Sequence, residues 1–346
     1  MKILFGIQGT GNGHISRARI LAQYLNKQPV DVTYLFSGRD KAQLFDMEVF
    51  GNYWHRKGLT FTTKNGKIDY INTFRKNSFS QFIKETKSLP VNEFDLIITD
   101  YEPVTAWAGK CSNVPVIGIG HQYAFGQNTP LAGESFIAKW IMDYFAPAKT
   151  SFGLHWHPYN EYVLPPIIDT KLEKSKCKDH ILVYLPFENQ QQVTALLNKI
   201  PDKKFIQYSP ELINDVQGNV RLRTTCHQAF KQDLTSTYAV ICNSGFELIS
   251  ECIHLGLPVL TKPLQGQMEQ HSNALALKQL NYATVIDEMN EQQLRQWLAQ
   301  SINLKARPLP NVAKYIVEWI IDGNWQNRQQ LSQLLWAEAT STTERF

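Results

Sequence analysis

The 346-residue chain is predicted to be an α/β protein of two consecutive doubly wound domains, and three observations predict it. The length exceeds what one hydrophobic core usually organises, so two cores are the starting expectation. Short apolar runs rich in branched residues alternate with longer amphipathic stretches, the pattern of parallel strands joined by crossover helices. That pattern stops at Leu164-Pro165-Pro166 and then begins again. Hydrophobic residues make up 43% and charged residues 19% of the chain, enough apolar material for two filled interiors and too balanced for disorder.

In the first half the spacing predicts strands over 2–7, 32–37, 96–99 and 115–119. Between the first two, Ile15, Ala18, Leu21, Ala22 and Leu25 recur at helical spacing, so 15–26 reads as a helix with one face on the sheet. The two prolines at 165 and 166 deny helix and favour an extended connector. We therefore expect a first domain over 1–165, a linker over 166–179, a second domain over 180–325 and a helical tail over 326–346. Strands in the second half are predicted at 181–185, 204–208, 220–222, 239–242 and 258–261. No low-complexity segment or short-period repeat interrupts them.

No apolar run approaches the roughly 20 residues of a membrane-spanning helix, and residues 1–9 read as a strand rather than a signal peptide, so a cytoplasmic protein is expected. Cys111, Cys177, Cys226, Cys242 and Cys252 are odd in number and scattered, which suggests reduced, mostly buried thiols rather than a disulfide framework or a zinc site. Residues 1–150 hold 17 basic and 12 acidic side chains, against a net of +4 for the whole chain. This mild asymmetry suits a solvated surface, an acidic acceptor or an anionic membrane face. Nothing resembles a basic helix, zinc knuckle or aromatic ribonucleoprotein motif, so no nucleic-acid partner is expected.

The first chemical motif is Gly9-Thr10-Gly11-Asn12-Gly13-His14, between a predicted strand and helix, where backbone N–H groups and the helix dipole approach an anion or a polar substrate. A dinucleotide fingerprint starting at Gly9 needs glycine at 14, where this chain has histidine. The second strand ends Phe36-Ser37-Gly38-Arg39 without the acid that holds an NAD ribose; Arg39 leaves only an NADP variant open. Gly11, Asn12 and Gly13 are therefore read as an acceptor-side loop. At a helix N-terminus the cationic form of His14 is disfavoured, so His14 is the first choice for a base that deprotonates an acceptor hydroxyl. The alternative is a histidine that bonds the loop or caps the helix.

A more specific pattern is Asn243-Ser244-Gly245-Phe246-Glu247-Leu248-Ile249-Ser250-Glu251, then Gly256-Leu257-Pro258, then 263–274, which reads Pro-Leu-Gln-Gly-Gln-Met-Glu-Gln-His-Ser-Asn-Ala. It resembles the donor-sugar site of GT-B glycosyltransferases, notably the peptidoglycan enzyme that transfers N-acetylglucosamine to a lipid-linked acceptor, and related uncharacterised family-1-like transferases. The resemblance implies two Rossmann-like domains around a cleft. Ser244 and Gly245, opening a helix after a strand, would offer N–H groups to a diphosphate without a metal. The resemblance gives Glu251 the nucleotide ribose, with Glu247 one turn earlier able to share it. Asn243 joins the phosphate side, while Gln267, Glu269, Gln270 and His271 face the transferred sugar; His271 stands where the family has a second glutamine. The family's glycine-rich phosphate loop is missing from Val183-Tyr184-Leu185-Pro186-Phe187-Glu188-Asn189, which shifts phosphate binding onto 243–245.

In the first domain, Thr99-Asp100-Tyr101-Glu102-Pro103 ends a predicted strand at the edge where α/β sheets place ligands. Asp100 and Glu102 are reserve candidates for the base, against a metal-binding or purely structural reading. Gly120-His121-Gln122 ends another strand, making His121 an acceptor-side candidate. His155 and His157 have metal-like spacing if extended, but no third ligand accompanies them. Phe125, Trp140, Tyr144 and Phe145 are candidates for an acceptor groove or for core.

Together these readings predict transfer of a sugar from a nucleotide-diphosphate donor, a UDP-sugar, to a hydroxyl of a cell-envelope glycan or glycolipid, with no metal and no other cofactor. Kinship to the peptidoglycan enzyme favours inversion and a peripheral contact with the inner membrane face. The alternatives are a nucleotide-sugar epimerase of the same fold, a non-catalytic sugar-nucleotide binding protein and, last, a dehydrogenase.

Overall fold

The computed structural model describes residues 1–126, 128–133, 141–176, 179–300 and 304–344. Cys177 and Trp140 lie outside the described residues. The first sheet contains β1 (Lys2–Gln8), β2 (Asp31–Ser37), β3 (Trp54–His55), β6 (Leu96–Asp100), β7 (Val116–Gly120), β8 (Thr150–Leu154) and β9 (Val163–Leu164). Their order is β3-β2-β1-β6-β7-β8-β9 and every pairing is parallel. A small antiparallel hairpin, β4 (Thr63–Lys64) and β5 (Lys67–Ile68), stands apart from it.

The second sheet repeats the plan with β10 (Ile181–Tyr184), β11 (Phe205–Tyr208), β12 (Asp215–Gln217), β13 (Val220–Arg223), β14 (Ala239–Asn243), β15 (Val259–Lys262) and β16 (Thr284–Val285). Its order is β12-β13-β11-β10-β14-β15-β16, parallel except for β12 on β13. Central strands such as β1, β6 and β14 are buried almost throughout, as expected where helices cover both faces of a parallel sheet. The fold class predicted from the periodicity is the one observed, and most predicted strands lie within a residue or two of their observed limits.

The helix after β1, α1 (Asn12–Leu25), starts three residues earlier than its apolar spacing suggested. Gly11 stands at its N-cap with φ +89°, a left-handed conformation that favours glycine. Ile15, Ala18, Leu21, Ala22 and Leu25 are buried as the pattern required. Each fully buried leucine or isoleucine there contributes roughly 1.5–3 kcal/mol.

Further helices of the first half include α2 (Tyr70–Lys76), α3 (Phe79–Lys87) and α4 (Pro103–Lys110). The second half adds α5 (Gln190–Leu197), α6 (His227–Ser236), α7 (Phe246–Leu255), α8 (Met268–Leu280), α9 (Glu291–Leu298), α10 (Val312–Asp322) and α11 (Arg328–Glu344). The last two helices return to the first half. α10 packs on α1, with Trp319 edge-on to Phe152 at 4.8 Å. Ser332 Oγ and Trp336 Nε1 both donate to Val163 O at 2.7 Å. Of the four described cysteines Cys242 and Cys252 are buried, whereas Cys111 and Cys226 are exposed, which departs from the expectation of mostly buried thiols.

Candidate active site

In an open α/β sheet, ligands collect outside the carboxyl ends of the strands where the strand order reverses. In the first sheet that point lies between β1 and β6, which end at Gln8 and Asp100; in the second it lies between β10 and β14, which end at Tyr184 and Asn243. The two reversal points supply the two sides of one cluster of polar side chains.

On the first side, His14 sits in the opening turn of α1. Its Nδ1 lies 2.9 Å from Asp100 Oδ1, and its side chain is partly accessible while that of Asp100 is fully buried. Arg17, one turn on from His14, clamps the same carboxylate, with Nε to Oδ2 at 3.0 Å and Nη2 to Oδ1 at 2.6 Å. Burial alone would raise the Asp100 carboxyl, but Arg17 and His14 outweigh it and hold its pKa below the usual value, so the group stays ionised. Arg17 Nη2 also lies 3.1 Å from His14 Nδ1; in the tautomer that carries its proton on Nδ1, His14 donates to the ionised Oδ1 and keeps a lone pair on Nε2. The Gln122 amide nitrogen, 3.4 Å from Nε2, lies on that free side.

Asp100 therefore orients His14, and its own burial removes it from contact with an acceptor. Glu102 has another task. Its carboxylate caps α4, accepting from Val104 N at 2.8 Å, Thr105 N at 2.7 Å, Thr105 Oγ1 at 2.6 Å and Ser37 Oγ at 2.6 Å. With four donors taken and no exposure, it is a helix cap rather than a base, which corrects the sequence expectation. Tyr101 between them adopts φ +53°, a strained conformation for a bulky residue, and this turn sends Asp100 to the site and Glu102 into α4. Glu102→Ala is expected to lower unfolding stability by about 2–3 kcal/mol, from a lost cap and stranded buried donors. Denaturant titration checks this; an unchanged midpoint would return Glu102 to the list of free carboxylates.

Across the cleft, Glu247 in the first turn of α7 forms an ion pair with Arg17 Nη1. Gly13 makes room for it: a Cβ there would stand 2.2 Å from Glu247 Oε2. Gln122 donates to Glu269 Oε2 at 3.0 Å. Asn12 donates to the Tyr184 hydroxyl at 3.0 Å and accepts from Arg39 at 2.8 Å. His121 is buried, stacked on Phe246 at 3.9 Å, with Nδ1 2.7 Å from Leu154 O and Nε2 2.7 Å from Asn273 Oδ1. Burial lowers its pKa. His121 thus acts as a pillar between the halves rather than as a group open to an acceptor.

The second side holds the expected donor residues. Gly245 precedes α7, and a Cβ on it would meet nothing within 4 Å, so the space before this helix N-terminus is open to an anion. Ser244 is buried and bonded to Thr261 Oγ1 at 3.0 Å, leaving its backbone rather than its hydroxyl for a ligand. Asn243 Nδ2 reaches Glu188 Oε1 at 3.3 Å and Lys262 O at 3.2 Å. In place of the missing glycine-rich loop stands Glu188, neutralised by Lys262 Nζ at 2.9 Å.

Glu251, 4% exposed, pairs with Lys231 of α6. Gln270 turns its carbonyl to Leu264 N at 2.8 Å and shapes the loop, while Gln267 precedes α8. His271 packs beside Gly133. His155 is buried and His157 exposed, so they do not face one point; among the described residues no three His, Cys, Asp or Glu groups are placed to hold a metal ion. Of the groove aromatics, Phe145 stacks on Tyr101 at 5.2 Å and Phe125 stands edge-on to His121 at 4.8 Å.

Arg17, Lys231, Lys262 and Glu188 escaped the sequence reading. The available signal for Arg17 was its spacing of three from His14, which puts both on one face of α1.

The family model described as glycosyl transferase family 1 matches residues 1–301. No curated protein matches the chain. Among solved structures, MurG from Acinetobacter baumannii is similar at 15% identity and TM-score 0.57, over 93% of this chain and 99% of that one. The glycosyltransferase SnogD from Streptomyces nogalater gives 14% and 0.52, over 97% and 99%. The glycosyltransferase VinC in complex with DTDP gives 14% and 0.52, over the full length of both chains. These likenesses establish the shared two-domain glycosyltransferase fold.

Proposed function

Because the chain belongs to glycosyl transferase family 1 and is a glycosyltransferase of the GT-B fold, we propose that it moves a sugar from a UDP-sugar to a hydroxyl of a cell-envelope glycan or glycolipid. The observation that carries the reading is the His14–Asp100 pair at 2.9 Å, with His14 in the same helix whose Arg17 pairs with Glu247 in the first turn of α7. His14 Nε2 takes the acceptor proton as the hydroxyl oxygen attacks the anomeric carbon. The bond to the nucleoside diphosphate breaks on the far side, which inverts the configuration.

The leaving diphosphate gathers negative charge, and the N–H groups of the first turn of α7 suit it. Lys262, released from Glu188, adds a cation there without a metal. Glu251 takes the ribose hydroxyls, and Glu269 with His271 takes hydroxyls of the transferred sugar. The diphosphate in the VinC structure and the motif likeness to the peptidoglycan enzyme support the donor class. The contact expected with the inner membrane face follows from a glycolipid acceptor.

Thermal unfolding with UDP, GDP, dTDP, NAD and NADP added separately tests the donor. A ligand bound only by the folded state at 100 times its Kd stabilises by about 2.7 kcal/mol. UDP is expected to raise Tm, and Glu251→Ala is expected to weaken UDP by about tenfold, from lost charge-assisted bonds. Stabilisation by NADP alone would sink the reading. Slow hydrolysis of a UDP-sugar without acceptor separates a transferase from a pure binder.

A further inference from the structure

The donor side carries an anion of its own where the diphosphate is expected. Glu188 follows β10, and its Oε1 accepts from Lys262 Nζ at 2.9 Å and from Asn243 Nδ2 at 3.3 Å. Asn243 ends β14 and Lys262 ends β15, the strands on one side of the reversal point of the second sheet. A carboxylate that fills two N–H donors at this edge occupies them as a phosphate oxygen does. All three side chains lie mostly out of water: Glu188 is 13% and Lys262 11% exposed, and Asn243 is buried.

Asn243 shares its amide nitrogen between Glu188 and Lys262 O, which leaves its buried Oδ1 without a hydrogen-bond partner. A stranded acceptor costs stability, so this is an arrangement that a ligand hydroxyl improves. The main chain around Glu188 is fixed. Gln190 Nε2 donates to Glu188 O at 2.8 Å and to Leu185 O at 2.9 Å, and Asn189 caps α5 through Gln192 N at 3.0 Å. The Glu188 side chain is therefore free to swing out of the site while its loop keeps its shape.

A hairpin of the first half closes over the carboxylate. β4 and β5 are joined by Asn65 and Gly66, with φ +50° and +73°, the two consecutive left-handed residues of a tight turn. Its tip enters between the two second-half loops that border the pair. Gly66 N donates to Phe187 O at 2.6 Å, Gln265 N to Gly66 O at 2.9 Å and Ile68 N to Gln265 O at 3.2 Å. Gly66 lies so close on Glu188 that a Cβ there would stand 2.5 Å from Oε2. Backbone thus roofs the carboxylate, and Glu188 leaves only when the turn lifts.

We propose that Glu188 is a built-in competitor for the donor's phosphates, held in place by the Asn65-Gly66 turn, and that it makes the site selective for ligands with a diphosphate. A diphosphate replaces the carboxylate at Lys262 and offsets the three backbone bonds of the turn, whereas a nucleoside leaves Lys262 without an anion. A site whose open form is a minor population binds more weakly by that fraction. This deepens the donor reading and rests on it for the identity of the nucleotide.

Calorimetric titration of UDP, inorganic pyrophosphate and uridine into the wild-type chain, Glu188→Gln and Gly66→Ala tests the competition. Glu188→Gln keeps the shape and removes the charge, so UDP and pyrophosphate are expected to tighten by about tenfold while uridine stays within about twofold. Gly66→Ala pushes the turn off the carboxylate and is expected to tighten UDP by roughly threefold. Hydrogen exchange of the wild-type chain, read by mass spectrometry, should show the amides of 66–68 exchanging at least about tenfold faster with saturating UDP than without it.

Unchanged or weaker UDP binding in Glu188→Gln overturns the proposal, the weaker case making Glu188 a direct contact of the ligand. An equal gain for uridine overturns it too, because a change of general stability moves all three ligands together. So does unchanged exchange at 66–68 with UDP bound. UDP bound by the wild type with no gain in either variant refutes the competition alone. Pyrophosphate that follows the expected pattern while UDP, dTDP and GDP fail to bind refutes the donor reading alone.

Discussion

His14→Ala is expected to lower kcat by about 10²–10⁴-fold, the usual worth of a positioned general base, while UDP affinity stays within about twofold. The asymmetry follows from position. His14 belongs to the first domain and bonds to Asp100 at 2.9 Å, whereas the groups assigned to the nucleotide belong to α7 and β15. Asp100→Asn should share much of the loss, because a neutral amide no longer selects the Nδ1–H form that leaves Nε2 free. Single-turnover kinetics with saturating donor, together with calorimetric titration of UDP, separates the chemical step from binding. Full activity in His14→Ala would move the base to Glu269, the carboxylate bonded to the same Gln122 amide that approaches His14. An equal loss in both readouts would mean that the loop at 9–14 holds donor rather than acceptor.

The loop at 9–14 and the stretch from 243 to 274 were legible because each couples a glycine to a change of periodicity, from strand to helix, at a sheet edge where ligands collect. β8 was not legible. Thr150-Ser151-Phe152-Gly153-Leu154 carries two large apolar residues in five, too few for an apolar run, and its pairing with β7 makes it a strand. α10 was not legible either: the sequence reading places a helical tail only over 326–346, and that α10 covers α1 follows from tertiary packing.

Asp100 and Glu102 looked equivalent as a pair of acids flanking a tyrosine. The positive φ of Tyr101 sends one to His14 and the other into a helix cap, and no spacing rule encodes that. His121 was read as open to an acceptor because it ends a strand, yet the ring is covered by Phe246 from the other half of the chain. Charged residues inside helices are usually solvated, which is why Arg17 drew no notice.

Arg17→Met is expected to be the most destabilising change in the cleft. Arg17 is 1% exposed and Asp100 fully buried, and removing one partner of such a pair leaves a charge without water or counterion, which costs about 3–5 kcal/mol. Methionine fills much of the space of the arginine stem, so the loss would report charge rather than a cavity. Adding Asp100→Asn should recover a large part of the stability, because a pair replaced by neutral groups is close to even, while turnover stays low because His14 has lost its orienting carboxylate. Glu247, deprived of its partner across the cleft, should also cease to draw the two halves together. Denaturant titration of the two single variants and the double variant yields the coupling energy directly. Strict additivity of the two losses would show that Arg17 acts as packing alone, and its assignment as the group that positions Asp100 would fall. A recovered fold with unrecovered turnover is the outcome that a buried arginine, placed to keep one carboxylate ionised beside one histidine, requires.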